Sequence, residues 1–324
     1  MPPEHPETLQ DIAANPSRIV DFRKLREEFK ANPDAGAELA AYERGDDSHE
    51  YGVLKGLIPE ALVGSSPSRS DGPSWRKSDT FFTRYQDRNP PELVLSESPD
   101  SLIIRNDKSH DVRLYEPLYD PDSKDKTTSA GMSYLHLLVI PRTKVYNAVS
   151  VDNAECIREM IKHFERFWLE GDACDRAIKL VDQATEDRIR TLEEAMHDGK
   201  RPEGATTEGL RDLCEAVRSS SVEFAQSLRK TSTAIRTDQK SFESTFFYGF
   251  HAHPNASIGH LHMHVLPFDE SLRRHSTRAH DWKTIPAQAI IDVIEQESRQ
   301  TPVSKLRLAM IAFKFIKRLL AAAK

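Results

Sequence analysis

Three cysteines in 324 residues, Cys156, Cys174 and Cys214, are too few and too widely spaced for a disulfide framework or a Cys-x-x-Cys zinc site. Their scarcity suits a reducing compartment. No apolar run reaches transmembrane length, and Met1-Pro2-Pro3-Glu4 does not begin a secretory signal, so a cytoplasmic or nuclear protein without a transmembrane segment is expected. Positive charge is not in excess either. The 45 Lys and Arg stand against 51 Asp and Glu, a net charge of -6, which excludes coating of nucleic acid by bulk electrostatics and leaves any polyanion to a local site. What remains is ordinary: 38% hydrophobic and 30% charged residues, the composition of a globular chain long enough for a sizeable core.

Along the chain the texture changes several times. Ile19, Phe22, Leu25 and Phe29 recur at helical spacing, and the run Gly64-Ser65-Ser66-Pro67-Ser68-Arg69-Ser70-Asp71-Gly72-Pro73 then breaks the pattern as a linker or long loop. Strands are expected at 93–96, 102–105 and 135–141, with a polar loop over 120–131 before the last. Ile157, Met160, Ile161, Phe164, Phe167 and Trp168 form an apolar helical stripe suited to packing on a sheet. Two more helical stretches within 172–231, joined by the turn-like Gly199-Lys200-Arg201-Pro202-Glu203-Gly204, predict a long helical hairpin. Another strand follows at 246–250, and residues 304–324 read as an amphipathic basic helix that packs on the body or a partner, or lies on a membrane surface.

Residues 260–266 carry the chemistry: His260-Leu261-His262-Met263-His264-Val265-Leu266. On a strand, side chains alternate between faces, so the three imidazoles project from one side while Leu261, Met263 and Val265 back them from the other. At about 3.3 Å per residue, neighbouring histidines stand roughly 6.6 Å apart, close enough to address one phosphoryl group together. Neutral imidazoles so placed serve as nucleophiles or proton carriers. Two other readings compete, metal ligation by His-x-His pairs and a strand of satisfied structural histidines. His136 reads as a sheet position, and His251 and His253 read as turn residues and as site residues equally well.

The segment Gly259-His260-Leu261-His262-Met263-His264-Val265-Leu266 resembles the histidine triad signature at every defining position, and His136-Leu137-Leu138-Val139-Ile140-Pro141 resembles the family's strand ending in Val-Ile-Pro. The likeness spans 93–170 and 243–284. The turn Phe250-His251-Ala252 and His280-Asp281-Trp282 bring it nearest to the Hint and aprataxin branches. The resemblance implies an α+β fold, an antiparallel sheet with a packed helix. Around it would stand an N-terminal helical extension and linker (1–90), a triad domain (91–284) with a helical insertion (172–242), and a C-terminal helical extension (285–324).

It further implies a hydrolase or transferase that cleaves a nucleoside 5′-phosphoryl bond in a phosphoramidate, a dinucleoside polyphosphate or an adenylated compound, with no metal or other cofactor. His262 would be the nucleophile that carries the nucleotide, His260 would hold it through its backbone carbonyl, and His264 would bond phosphate oxygens. Ser257 and Asn255 in the polar bend would contact the nucleotide, Asp107 would bind the ribose hydroxyls, and Leu102, Ile104 and Phe81 or Phe82 would line a base pocket. Lys144 stands where the family often has a histidine and would contact phosphate as a cation. A homodimer is expected from the family, and the insertion could serve a protein partner. No Cys/His zinc pattern follows residue 267, which weakens an aprataxin-like action on DNA and leaves nucleic acid unassigned as a partner. Two alternatives stand beside hydrolysis of small nucleotides: a scavenger decapping pyrophosphatase, and a nucleotide-binding regulator or scaffold with an intact triad.

Overall fold

The computed structural model describes residues 7–44, 82, 85–106, 109, 111–114, 133–199, 206–253, 255–256, 258–278 and 280–300. Its centre is an antiparallel sheet, six-stranded among the described residues: β1 (Val94–Glu97), β2 (Ser101–Arg105), β3 (Leu137–Pro141), β4 (Phe246–His251), β5 (Met263–Pro267) and β6 (Thr284–Pro286). In space they run β1-β2-β3-β5-β4-β6, so the Val-Ile-Pro strand and the histidine strand are direct neighbours at the middle. β3 is buried along its whole length, as a strand covered on both faces must be. Ile103, Leu137, Val139, Met263 and Val265 join one apolar cluster. Ile104, Leu138 and Ile140 join another with Phe82, Tyr85 and Ile258.

Helices cover these faces: α1 (Leu9–Ala14), α2 (Ser17–Ala31), α3 (Pro33–Arg44), α4 (Tyr85–Arg88), α5 (Glu155–Leu169), α6 (Ala173–His197), α7 (Thr207–Arg236), α8 (Phe242–Thr245) and α9 (Ala287–Gln300). The expected stripe on α5 buries Ile157, Met160, Phe164, Phe167 and Trp168, and Trp168 meets Phe246 of β4 edge-on with ring centroids 4.9 Å apart. α6 and α7 form the expected hairpin, and Thr206 caps α7 by accepting from the Gly209 N–H. A partner surface on that hairpin would need an exposed apolar stripe. Among its described residues Val222 alone is a large exposed hydrophobic.

The N-terminal helices, expected as an extension, pack into the main core. Phe22, Phe29 and Tyr42 belong to the cluster that holds the sheet residues. Arg26 is buried between α2 and α9, with its guanidinium on Glu297, Asp152 and the Val149 carbonyl. The linker at 64–73, the loop at 120–131 and the basic helix at 304–324 lie outside the described residues.

One strand differs from its expected length. The ladder between β3 and β5 pairs Val139 with Met263 and stops there, so His260 and His262 precede the strand. Continuing in that register would set Pro141 opposite Leu261, and proline has no N–H to give the ladder. The chain instead re-pairs beyond the proline: Leu261 N–H donates to Val145 O, Asn147 N–H donates to Gly259 O, and Tyr146 bridges His260.

Gly249 of β4 sits opposite His264 on one side and Pro286 on the other. A Cβ there would fall inside contact distance of Phe247 Cε1 and 2.5 Å from Thr284 Cγ2. Gly249→Ala is therefore expected to cost about 2–3 kcal/mol of stability, read as a lower urea midpoint with an unchanged slope. An unaltered midpoint would show that the crowding is relieved without cost.

Candidate active site

Hydrogen-bond partners fix the protonation of the row of histidines. His260 is buried, with Nε2 3.0 Å from the Pro141 carbonyl, which can only accept, so Nε2 carries the proton. Its Nδ1 then accepts from the Tyr42 hydroxyl, which arrives from α3. His262 Nδ1 lies 2.8 Å from the His260 carbonyl and must be the donor, which leaves a lone pair on His262 Nε2. That atom makes no hydrogen bond among the described residues.

The third histidine belongs to a larger set. His264 Nδ1 is 2.8 Å from His136 Nε2, and Asn106 Nδ2, a donor, stands 3.3 Å from His136 Nδ1 and 3.4 Å from its Nε2. If Nδ1 of His136 accepts from Asn106, its Nε2 donates to His264 Nδ1, and the proton of His264 sits on Nε2. That nitrogen is buried with no partner. A buried polar nitrogen left open is costly and marks a place where a ligand partner is expected, an acceptor when the nitrogen carries the proton. The His251 ring lies 4.1 Å from that of His264, centroid to centroid. Because the Thr284 hydroxyl donates to the His280 carbonyl, it accepts from His251 Nε2, 3.2 Å away.

Strand parity explains this gathering. His264 pairs with Leu138 on β3 and with Gly249 on β4, and cross-strand partners share a face. His136 and His251 lie two residues from those positions, hence on the same side. The sequence singles out the triad but leaves His136 as a sheet position and His251 undecided; counting in twos along the three strands would have joined them.

Burial keeps the whole set uncharged at neutral pH. It lowers His260 and His262 to about 4, against the pull of their backbone acceptors, and His136 to about 3. His251 and His264 are pushed well below the ordinary histidine value, by burial first and then by the neighbouring histidines, whose protonation would repel theirs, and by Lys283. A histidine must be neutral to act as a nucleophile, and His262 is.

The other sequence candidates are spread more widely. Lys144 is exposed and acts electrostatically on His260. Asn255 is half-buried in the bend, where its backbone N–H donates to Ala252 O. Phe82 packs against His262 with centroids 5.0 Å apart, and Leu102 and Ile104 are buried in the sheet. Ser257, Asp107 and Phe81 lie outside the described residues.

Among the described residues no three His, Cys, Asp or Glu side chains converge as a metal-binding group. No described helix is long and apolar enough to cross a membrane. No protein-family model and no curated protein matches this chain. The geometry therefore carries the functional argument: a tautomer-fixed imidazole with a free lone pair beside a buried, unpartnered ring nitrogen of His264, the two rings 4.9 Å apart.

Proposed function

We propose that this chain is a histidine triad hydrolase that cleaves a nucleoside 5′-phosphoryl bond through a nucleotidyl-histidine at His262. The hydrogen bond from His262 Nδ1 to the His260 carbonyl carries this reading, because it presents Nε2 as a neutral nucleophile. Nε2 attacks the α-phosphorus, and the bond to the leaving group breaks with its electron pair departing on that group. The open N–H of His264 donates to a phosphoryl oxygen as negative charge gathers there. Water then attacks phosphorus and loses its proton to solvent, the P–N bond breaks with its pair returning to Nε2, and nucleoside 5′-monophosphate leaves.

A triad-type fold is part of the same reading. It is supported by the antiparallel sheet, by the Val-Ile-Pro strand lying next to the histidine strand, and by the helix α5 packed over them. Ser257 as a phosphate contact and Asp107 as a ribose ligand complete the proposed site. Hydrolysis of a methylated dinucleotide cap is the same chemical step on another leaving group and stands as the alternative substrate.

A panel of adenosine 5′-phosphoramidate, diadenosine polyphosphates and methylated and unmethylated caps tests the function. Release of a nucleoside monophosphate from at least one of them is the expected result. No release from any would contradict the reading.

A further inference from the structure

We propose that Tyr42, far from the histidines in sequence, is a positioning residue of this site: its hydroxyl fixes the ring of His260 and, through it, the nucleophile His262. The inference rests on the function proposed above and adds to it a residue from the N-terminal helices.

Tyr42 is buried near the end of α3, with its ring against both Tyr146 and His260. It meets Tyr146 edge-on with centroids 5.4 Å apart and lies 6.2 Å from the His260 ring. Tyr146 in turn stacks with Phe29 of α2 at 6.0 Å. These contacts hold the ring of Tyr42 independently of its hydroxyl, which lies on His260 Nδ1.

His260 is completely buried and uses both ring nitrogens. Its Nε2–H donates to the Pro141 carbonyl at 3.0 Å, so Nδ1 carries a lone pair that only a donor can satisfy. Among the described residues the Tyr42 hydroxyl is that donor. Two hydrogen bonds on different corners of the ring leave it one orientation. Without the hydroxyl a buried lone pair has no partner, a costly state that the ring can relieve only by turning, which takes its N–H off the Pro141 carbonyl.

The backbone of His260 carries the effect to His262. The bridge between Tyr146 and His260 is closed by the amides on either side: Asn147 N–H donates to Gly259 O at 2.6 Å, and Leu261 N–H donates to Val145 O at 2.8 Å. In an antiparallel pair of this kind the carbonyl of the bridged residue points away from its partner. The His260 carbonyl is thus free of the ladder and accepts from His262 Nδ1 at 2.8 Å. Its direction follows the seating of His260, and with it the proton whose place on Nδ1 leaves the lone pair on His262 Nε2. The paired amides on both sides limit the displacement, so the expected loss is partial and far smaller than that of removing the nucleophile.

The test is Tyr42→Phe in the full-length protein, alone and combined with His260→Leu, with kcat taken per folded protein. The phenyl ring keeps the contact with Tyr146. On the panel substrate that the parent cleaves fastest, kcat should fall about 10-fold with KM within about 3-fold. In the His260→Leu background the same change should alter kcat by less than about 2-fold, because the ring that the hydroxyl holds is gone. Nitrogen-15 spectra of histidine-labelled protein supply a signature that a general loss of stability would not move. In Tyr42→Phe the unprotonated nitrogen of His260 should shift downfield as it loses its donor, and the two ring nitrogens of His262 should move towards each other as its tautomers mix. An unchanged kcat, unmoved His262 nitrogens, or a full 10-fold loss in the His260→Leu background would overturn the role of Tyr42 and leave the triad chemistry standing. If the parent cleaves nothing in the panel, the proposed function fails and the spectra alone decide: shifted His260 and His262 nitrogens support the hold, and unshifted ones refute it.

Discussion

Replacing His262 with asparagine or alanine is expected to lower release of nucleoside monophosphate by about 10,000-fold or more, the scale on which enzymes lose activity with their nucleophile. At 25 °C that factor corresponds to about 5 kcal/mol of transition-state stabilisation. The asparagine variant is the sharper of the two. Its side-chain amide can still donate to the His260 carbonyl as Nδ1 does, but nothing stands in place of the Nε2 lone pair. Chemistry should vanish while the fold and nucleotide binding persist. Alanine leaves a cavity beside Phe82 and His264 as well, so a stability measurement must accompany it. Turnover within a few-fold of the parent in either variant would remove His262 from the mechanism.

A second large effect is expected on acidification. His136, His251, His253, His260, His262 and His264 are all buried, and burial lowers each of them, to about 3 for His136 and about 4 for His253, His260 and His262. In the unfolded chain they return to the ordinary value near 6.5. Between these limits the unfolded chain binds protons that the folded chain refuses, so stability is complete above about pH 6.5 and is lost as pH falls towards 4. At pH 5 His136, His253, His260 and His262 each forfeit on the order of 2 kcal/mol, and His251 and His264 add to the loss in the same direction. Four such losses alone are comparable with the whole stability of an ordinary domain, about 5–15 kcal/mol. The rings also stand within 4.1 to 5.0 Å of one another along His251-His264-His262 and His136-His264, so each proton bound raises the cost of the next. Thermal unfolding followed from pH 7.5 to 4.5 should show a steep fall in Tm beginning near pH 6.5 and loss of the folded state near pH 5. A Tm that stays level to pH 4.5 would mean that the cluster is solvated or already protonated.

Legibility in the sequence followed the range of the interactions. Strands and the α6–α7 hairpin were readable because alternation and helical spacing are local patterns, whereas His262 was singled out by the resemblance of its segment to the triad signature. The resemblance also implied that the His260 carbonyl holds His262, and the hydrogen bond from His262 Nδ1 is made there. Other features depended on distant partners. β6 is three residues long and declares itself only by pairing with β4. Tyr42 reaches His260 across 218 positions, and no local pattern marks it. Arg18 reaches the Trp282 carbonyl across 264 positions with no local pattern to mark it, whereas Lys144, which follows the Val-Ile-Pro strand, is exposed. Pro141 was legible as a strand end, yet its further consequence was not: it stops the ladder at Met263, frees its own carbonyl for His260, and so helps set the geometry of the nucleophile.

The central claim is a covalent bond between His262 and a nucleotide, and trapping that bond tests it most directly. Enzyme mixed with substrate for a fraction of a turnover, quenched in alkali to preserve a phosphorus–nitrogen bond and digested, should yield the peptide containing His262 with the added mass of one nucleoside monophosphate less water. The His262→Asn form should yield none. Steady turnover by the parent with no adduct on any peptide, or with the adduct on another residue, would contradict the account.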